Sequence, residues 1–190
     1  MDKFILHPSF GSVMRKIVSA LAPWKWCLIG GRAVEIWTNP PQTPDIDVLI
    51  ALDDEGDMAQ VVDRMKLARL RPETPIDFDD PMAKFLALGY NVEVDVLVAH
   101  DPLHFQVIDR AARKTVKAVR FPVAYAEDIV ILKSQALVDP GRRPDKKQRD
   151  RQAIRDIARS VTLDKTYIRE TLDSHRWIEE AKMLRLMRVV

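Results

Sequence analysis

The segment from Lys84 to Val98 constrains the fold most tightly. Two apolar runs, Lys84 to Leu88 and Val92 to Val98, flank Gly89-Tyr90-Asn91, the composition of a tight reversal. That pattern predicts an antiparallel hairpin and hence a sheet. Within the second run Val92, Val94, Val96 and Val98 mark one face, and Asp95 stands on the other beside Glu93 and Leu97. Aspartate is a poor strand former and is seldom buried without a partner, so a carboxylate here asks for a reason.

The rest of the chain divides by period. Phe10, Val13, Met14, Ile17, Val18 and Leu21 recur at helical spacing, which predicts a helix from Pro8 to Leu21 closed by Pro23. Trp26 to Ile29 reads as a buried strand stopped by Gly30-Gly31, with a helix from Arg32 to Trp37 and a loop through Asn39-Pro40-Pro41 to Pro44. A strand from Ile46 to Leu52, an acidic loop at Asp53-Asp54-Glu55, and a helix from Met58 to Leu70 follow. After the hairpin come a helix from Leu103 to Ala112 and a strand from Thr115 to Phe121. From Tyr125 onward the pattern is helical: Ala126 to Val138, a break at Asp139-Pro140-Gly141, Lys146 to Ser160, and one or two helices between Leu163 and Val190. The expectation is an α+β protein, with a mixed β-sheet core flanked by helices over residues 1–122. A small helical part over residues 123–190 is expected to pack on that core.

Composition narrows the class. Of 190 residues, 47% are hydrophobic and 31% charged, values of a chain able to form one good core. The formal charge of +2 announces neither nucleic acid nor membrane. Cations do crowd between Arg142 and Arg159, as expected of a solvated helix face or of a local anion-attracting surface. The single cysteine, Cys27, excludes an intramolecular disulfide and reads as a buried thiol. No run is long and apolar enough to cross a bilayer, and residues 1–7 lack a secretory pattern, so a cytoplasmic location without membrane partners is expected.

Three features carry chemistry. Asp45 and Asp47 lie two apart, so on a strand both carboxylates project from one face; like charges so placed are costly unless a cation lies between them. An exposed strand edge would explain that pair equally well. Asp95 shifts the balance, because a neighbouring strand bearing Asp45 and Asp47 would gather three carboxylates around one point. Divalent ions that bridge phosphate oxygens are held by such groups. Gly30-Gly31, between a strand and a helix, offers backbone N–H groups and the helix's positive end to an anion. No Gly-Lys-Ser/Thr follows, and the dinucleotide Gly-x-Gly-x-x-Gly spacing is absent. His7, His100, His104 and His175 show no zinc spacing, and Ser134 and Ser160 lie in helices without a nucleophile elbow. Trp24, Trp26 and Trp37 are expected in the core, with Trp177 packing against the first domain or a second subunit.

Gly30-Gly31-Arg32-Ala33-Val34, Thr43-Pro44-Asp45-Ile46-Asp47 and a distal strand aspartate together resemble the polymerase-beta-type nucleotidyltransferase superfamily. The double glycine, Lys133 and Arg149-Asp150 look most like its AbiEii toxin-like branch. The resemblance spans roughly Trp26 to Ile157. It implies transfer of a nucleoside monophosphate from a nucleoside triphosphate (NTP) to a hydroxyl acceptor, with Mg²⁺ or Mn²⁺ as cofactor. Asp45, Asp47 and Asp95 would be the catalytic, metal-binding residues, and Gly30, Gly31 and Lys133 would hold the nucleotide. Asp150 would be the acceptor or base candidate, against which stands a surface ion pair with Lys146 or Arg149. For Lys133 the competing reading is a snorkelling lysine. The implied setting is a toxin–antitoxin toxin with an RNA acceptor and an antitoxin protein as partner. A small-molecule, aminoglycoside-like acceptor, which the acidic loop would favour if cationic, is the enzymatic alternative. Pro41 stands in the place where the family often has an arginine, two residues before Thr43, and Ala153 replaces a second acid. These departures leave open a catalytically silent nucleotide- or protein-binding member.

Overall fold

The computed structural model describes residues 9–38, 45–74 and 80–175, and the structural statements below concern these residues. The expected loop 39–44, with Pro41, Thr43 and Pro44, lies outside them, as do His7 and Trp177. The chain divides into two compact units, and the division falls after Ala33 and again after Ala124. The first unit holds residues before 34 and those of the middle of the chain. The second holds 34–38 and the chain from Tyr125.

The first unit is built on α1 (Phe10–Ala20), β1 (Trp26–Ile29), the start of α2 (Gly30–Thr38), β2 (Ile46–Ile50) and α3 (Glu55–Leu67). It continues with β3 (Leu70–Pro72), β4 (Met82–Ala87), β5 (Val92–Val98), α4 (Pro102–Arg110), β6 (Ala112–Val116) and β7 (Val119–Val123). Its seven strands form one mixed sheet in the order β3-β4-β5-β2-β1-β7-β6. The alternation read from the sequence is realised across this sheet. Phe85 pairs with Val94, Ala83 with Val96 and Ala87 with Val92, and all six are buried. In α1, Phe10, Val13, Met14 and Ile17 fall on one buried stripe, with the Phe10 ring edge-on to Phe121 at 6.0 Å.

Among the elements that differ from expectation, two do so for a clear local reason. The strand expected from Thr115 to Phe121 is a hairpin, β6–β7, turning at Lys117 and Ala118 with φ of 50° and 60°. Two-residue hairpin turns need positive φ at both centres and favour Asn or Gly; Lys-Ala carries no such signal. Helix α3 begins at Glu55 rather than Met58 and stops before Leu70. Asp54 accepts from the Asp57 N–H at 3.0 Å while the Asp57 carboxylate accepts from the Asp54 N–H at 3.4 Å, a reciprocal cap. Arg69, at φ 61°, then turns the chain into β3.

At the start of α4 the Asp101 carboxylate accepts from the Leu103 N–H at 2.7 Å, and Pro102 occupies the first turn. His104, only 4% exposed, sits in that turn with its ring edge-on to His100 at 4.7 Å. Burial depresses its pKa below the ordinary 6.5, and His100 adds to this while Asp101 opposes it. A histidine held neutral in the fold favours the unfolded chain wherever that chain takes up the proton first. Stability should therefore decline as pH falls below about 6.5. Urea midpoints from pH 7.5 to 5 should show that decline, and His104→Gln should flatten it.

The second unit packs α5 (Ala126–Val138) against α6 (Pro144–Ser160) and α7 (Lys165–Ser174). The Tyr167 hydroxyl donates to buried Asp128 at 2.6 Å. Glu127 accepts from the Asp164 N–H at 3.1 Å, and Asp164 caps α7 by accepting from Tyr167 N–H at 3.0 Å. Trp37 stacks on Tyr125 at 6.1 Å. Among the described residues no helix is long and apolar enough to cross a membrane.

Candidate active site

The sheet register brings the sequence's isolated acids together. β2 runs parallel to β5 with Asp47 opposite Asp95, while β4 places Lys84 opposite Asp95 on its other side. Residues in register on neighbouring strands share a face, so Lys84, Asp95 and Asp47 form one row across three strands. The other face of the same strands carries Phe85, Val94, Val96, Ile46 and Val48, all fully buried. Burying that face therefore commits the row to the opposite side.

Like charges directly opposite one another destabilise a sheet. Lys84 Nζ, 3.9 Å from Asp95 Oδ2, offsets part of that repulsion. Asp95 Oδ1 is shielded from solvent, which strengthens the pull of the site on any cation it meets.

Gly30 closes the site from the β1 side, where Ile29 pairs with Asp47. Its φ is +66°, and a Cβ there would stand 2.6 Å from Asp47 Cγ and 2.8 Å from Asp47 Cβ. The backbone is thus pressed against the carboxylate, and only glycine permits it. Gly30 and Gly31 do not precede the helix, as expected, but are its first two residues. The first N–H groups of a helix lack intrahelical acceptors and carry partial positive charge, so this end beside Asp47 suits phosphate oxygens. Gly30→Ala should lose about 2–4 kcal/mol of stability from left-handed backbone and overpacking together. Chemical denaturation checks this, and nucleotide affinity should fall with it.

Asp45 stands one residue ahead of β2, half-buried. Among the described residues no three His, Cys, Asp or Glu side chains gather as a ligand set. What the strands bring together is the Asp47–Asp95 pair. Mg²⁺ suits such a site, since it is usually held by one or two carboxylates with substrate phosphates and water completing its shell. The pair, with the glycine cradle beside it, fits that ion.

Lys133 and Asp150 lie in the second unit and are bonded to each other, Nζ to Oδ1 at 2.8 Å. Arg142 adds two bonds to Oδ2, from Nε at 3.0 Å and from Nη2 at 2.7 Å. The competing reading of Asp150, a surface ion pair with Lys146 or Arg149, is therefore set aside. Asp150 lies on the buried face of α6 with Ala153, Ile154 and Ile157, and is 2% exposed. Arg149 instead faces Asp145 at 3.9 Å. Lys133 is more than a snorkelling lysine, because its ammonium is held in place by a buried carboxylate. Of the expected acidic loop, Asp53 and Asp54 lie exposed ahead of α3 and Glu55 begins the helix, with Asp54 serving as its cap.

Sequence reasoning passed over three cations. Lys84 had a signal, since it shares the non-core face of β4 with Leu86. Arg32, 4% exposed with its guanidinium carbon 5.5 Å from the Phe10 ring centre, and Arg142 had none.

Comparison with solved structures gives the architecture its relatives. The solution structure of the antibiotic-resistance factor ANT(2'')-Ia superposes with a TM-score of 0.58 at 15% identity, covering 94% of this chain and 98% of that one. The chain has the nucleotidyltransferase fold. A nucleotidyltransferase-like protein from Paracoccidioides brasiliensis matches at TM-score 0.56 and 16% identity, over 94% of this chain and 90% of its own. ANT(2'')-Ia in complex with adenylyl-2''-tobramycin matches at 0.56 and 14%, over 87% and 97%. At such identities the likeness speaks for the nucleotidyltransferase fold alone. No protein-family model and no curated relative matches the chain.

Proposed function

We propose that the chain is a metal-dependent nucleotidyltransferase that moves a nucleoside monophosphate from an NTP to a hydroxyl acceptor. The observation that carries this reading is the registered Asp47–Asp95 pair with Gly30 pressed against Asp47. Asp47 and Asp95 would hold Mg²⁺ or Mn²⁺ as a pair, with substrate phosphates and water completing the shell. When bound, the ion supplies positive charge to the triphosphate and to the attacking oxygen. Gly30 and Gly31 bind phosphate oxygens through backbone N–H groups. Within the second unit Asp150 holds the Lys133 ammonium in position, which suits that cation to a phosphate. The acceptor oxygen bonds to the α-phosphorus, the bond to the bridging oxygen breaks, and pyrophosphate leaves. Asp95 takes the acceptor's proton. Positioning and electrostatics supply most of the acceleration.

Two acceptor classes have support. Exposed and half-exposed Lys146, Lys147, Arg149, Arg151, Arg155 and Arg159 on α6 suit RNA phosphates, as in an AbiEii-like toxin opposed by an antitoxin. Likeness to a fold relative solved with adenylyl-2''-tobramycin supports a small aminoglycoside-like acceptor. Incubation with each α-labelled NTP, Mg²⁺, and either total RNA or an aminoglycoside panel tests the reading and separates the two. Absence of label from both, together with no Mg²⁺-dependent NTP binding, would refute it.

A further inference from the structure

The first unit contains a second polar cavity, of about 500 Å³, that includes none of the residues of the Asp47–Asp95 site. It opens where β1 and β7 part. These parallel strands share one register pair, Leu28 with Val123, at their C-terminal ends. Toward their starts, Trp26 and Lys25 line one wall and Arg120 and Pro122 another. Trp24, Asp109 and Arg113 complete the polar and aromatic lining.

Its charges are unbalanced. Lys25 and Asp109 satisfy each other at 2.7 Å, and that bond raises the Lys25 pKa. Arg113 and Arg120 remain, and neither guanidinium has an ion pair or hydrogen bond among the described residues. In the β6–β7 register Arg113 faces Pro122 and Thr115 faces Arg120, so the two arginines are diagonal neighbours on one face. Like charges at that spacing repel, and an anion between them removes the repulsion. The chain from Arg110 to Ala126 adds three further cations, Arg110, Lys114 and Lys117, and contains no acid at all.

The cavity is also aromatic. Trp26 is almost buried at its floor, whereas Trp24 is half-exposed at its rim, not in the core as expected. The half-exposed Trp24 ring lies among the lining residues and offers aromatic surface to an occupant. A bare phosphate would leave most of such a volume unfilled. A planar ring on tryptophan with phosphate on arginine is the chemistry of a nucleotide unit.

We propose that this cavity is a second binding site, taking a phosphate-bearing nucleotide unit with its phosphate on Arg113 and Arg120 and its base against Trp24. The unit is either a free nucleotide or one residue of single-stranded RNA. The site stands apart from the transfer chemistry. Trp26 lies three residues, about 10 Å along an extended strand, from Ile29, the partner of Asp47.

Titration in EDTA separates it from metal-dependent binding. Tryptophan fluorescence is followed with AMP, and anisotropy with a labelled ten-residue oligouridylate. Saturable binding is expected in the native chain and, unchanged, in Asp47→Asn. Arg113→Ala/Arg120→Ala should weaken it at least tenfold and flatten its salt dependence, and Trp24→Phe should remove most of the quenching. Both arginines are exposed, and circular dichroism confirms that the double variant is folded. An oligonucleotide at least tenfold tighter than AMP identifies RNA; equal affinities identify a free nucleotide. Absence of binding by both probes, or binding lost in Asp47→Asn and kept in the arginine variant, would overturn the proposal. Failure of label transfer alone would sink the transferase reading and leave this site standing.

Discussion

Asp47→Asn should lower nucleotide transfer by about three orders of magnitude while the fold survives. The asparagine keeps the shape that Gly30 is pressed against and removes one of two charges set opposite each other in the sheet. In EDTA the variant should melt at or above the temperature of the parent chain, because a repulsive pair has been dissolved. With Mg²⁺ the order should reverse, since an ion that binds only the folded parent stabilises it by mass action. Label transfer and thermal denaturation with and without Mg²⁺ measure both effects. A parent chain indifferent to the metal, or a variant with full turnover, would remove Asp47 from the assigned role.

Asp150→Ala is expected to have the largest effect on stability. The carboxylate is 3% exposed and receives Lys133 at 2.8 Å and Arg142 at 2.7 Å. Removing it leaves two cations without their counter-ion, Lys133 only 15% exposed, and truncations of this kind cost about 3–5 kcal/mol. Asp145→Ala is the control. Its contacts with Arg143 at 3.3 Å and Arg149 at 3.9 Å lie at the surface, where such pairs contribute about 0–1 kcal/mol. Urea midpoints of the two variants should differ by several-fold more than their errors. If Asp150→Ala unfolds outright, Asp150→Asn retains packing and shows a smaller loss of the same sign.

The elements readable in advance were those whose local signals agree. Val92 to Val98 and Ala126 to Val138 occur with the bounds their patterns imply. In each, period, flanking turn residues and side-chain type point the same way. The hairpin of β6 and β7 was hidden because Lys117-Ala118 adopts left-handed backbone without glycine or asparagine. The start of α3 was misplaced because its cap is made by two aspartates that composition alone reads as a loop. Trp24 leaves the core because it stands in the turn between α1 and β1, beside exposed Ala22, Pro23 and Lys25.

The sequence by itself determined which residues could do chemistry: alternation on single strands set Asp47 and Asp95 on non-core faces, and Gly30-Gly31 marked a close backbone approach. Tertiary structure decided which of them meet. Strand order and parallel register put Asp47 beside Asp95 and Lys84, and helix packing turned Asp150 inward to Lys133 and Arg142. The physical reason is range. Side-chain direction follows from the backbone within a few residues, whereas pairing between strands nearly fifty residues apart follows from burying the whole opposite face of the sheet.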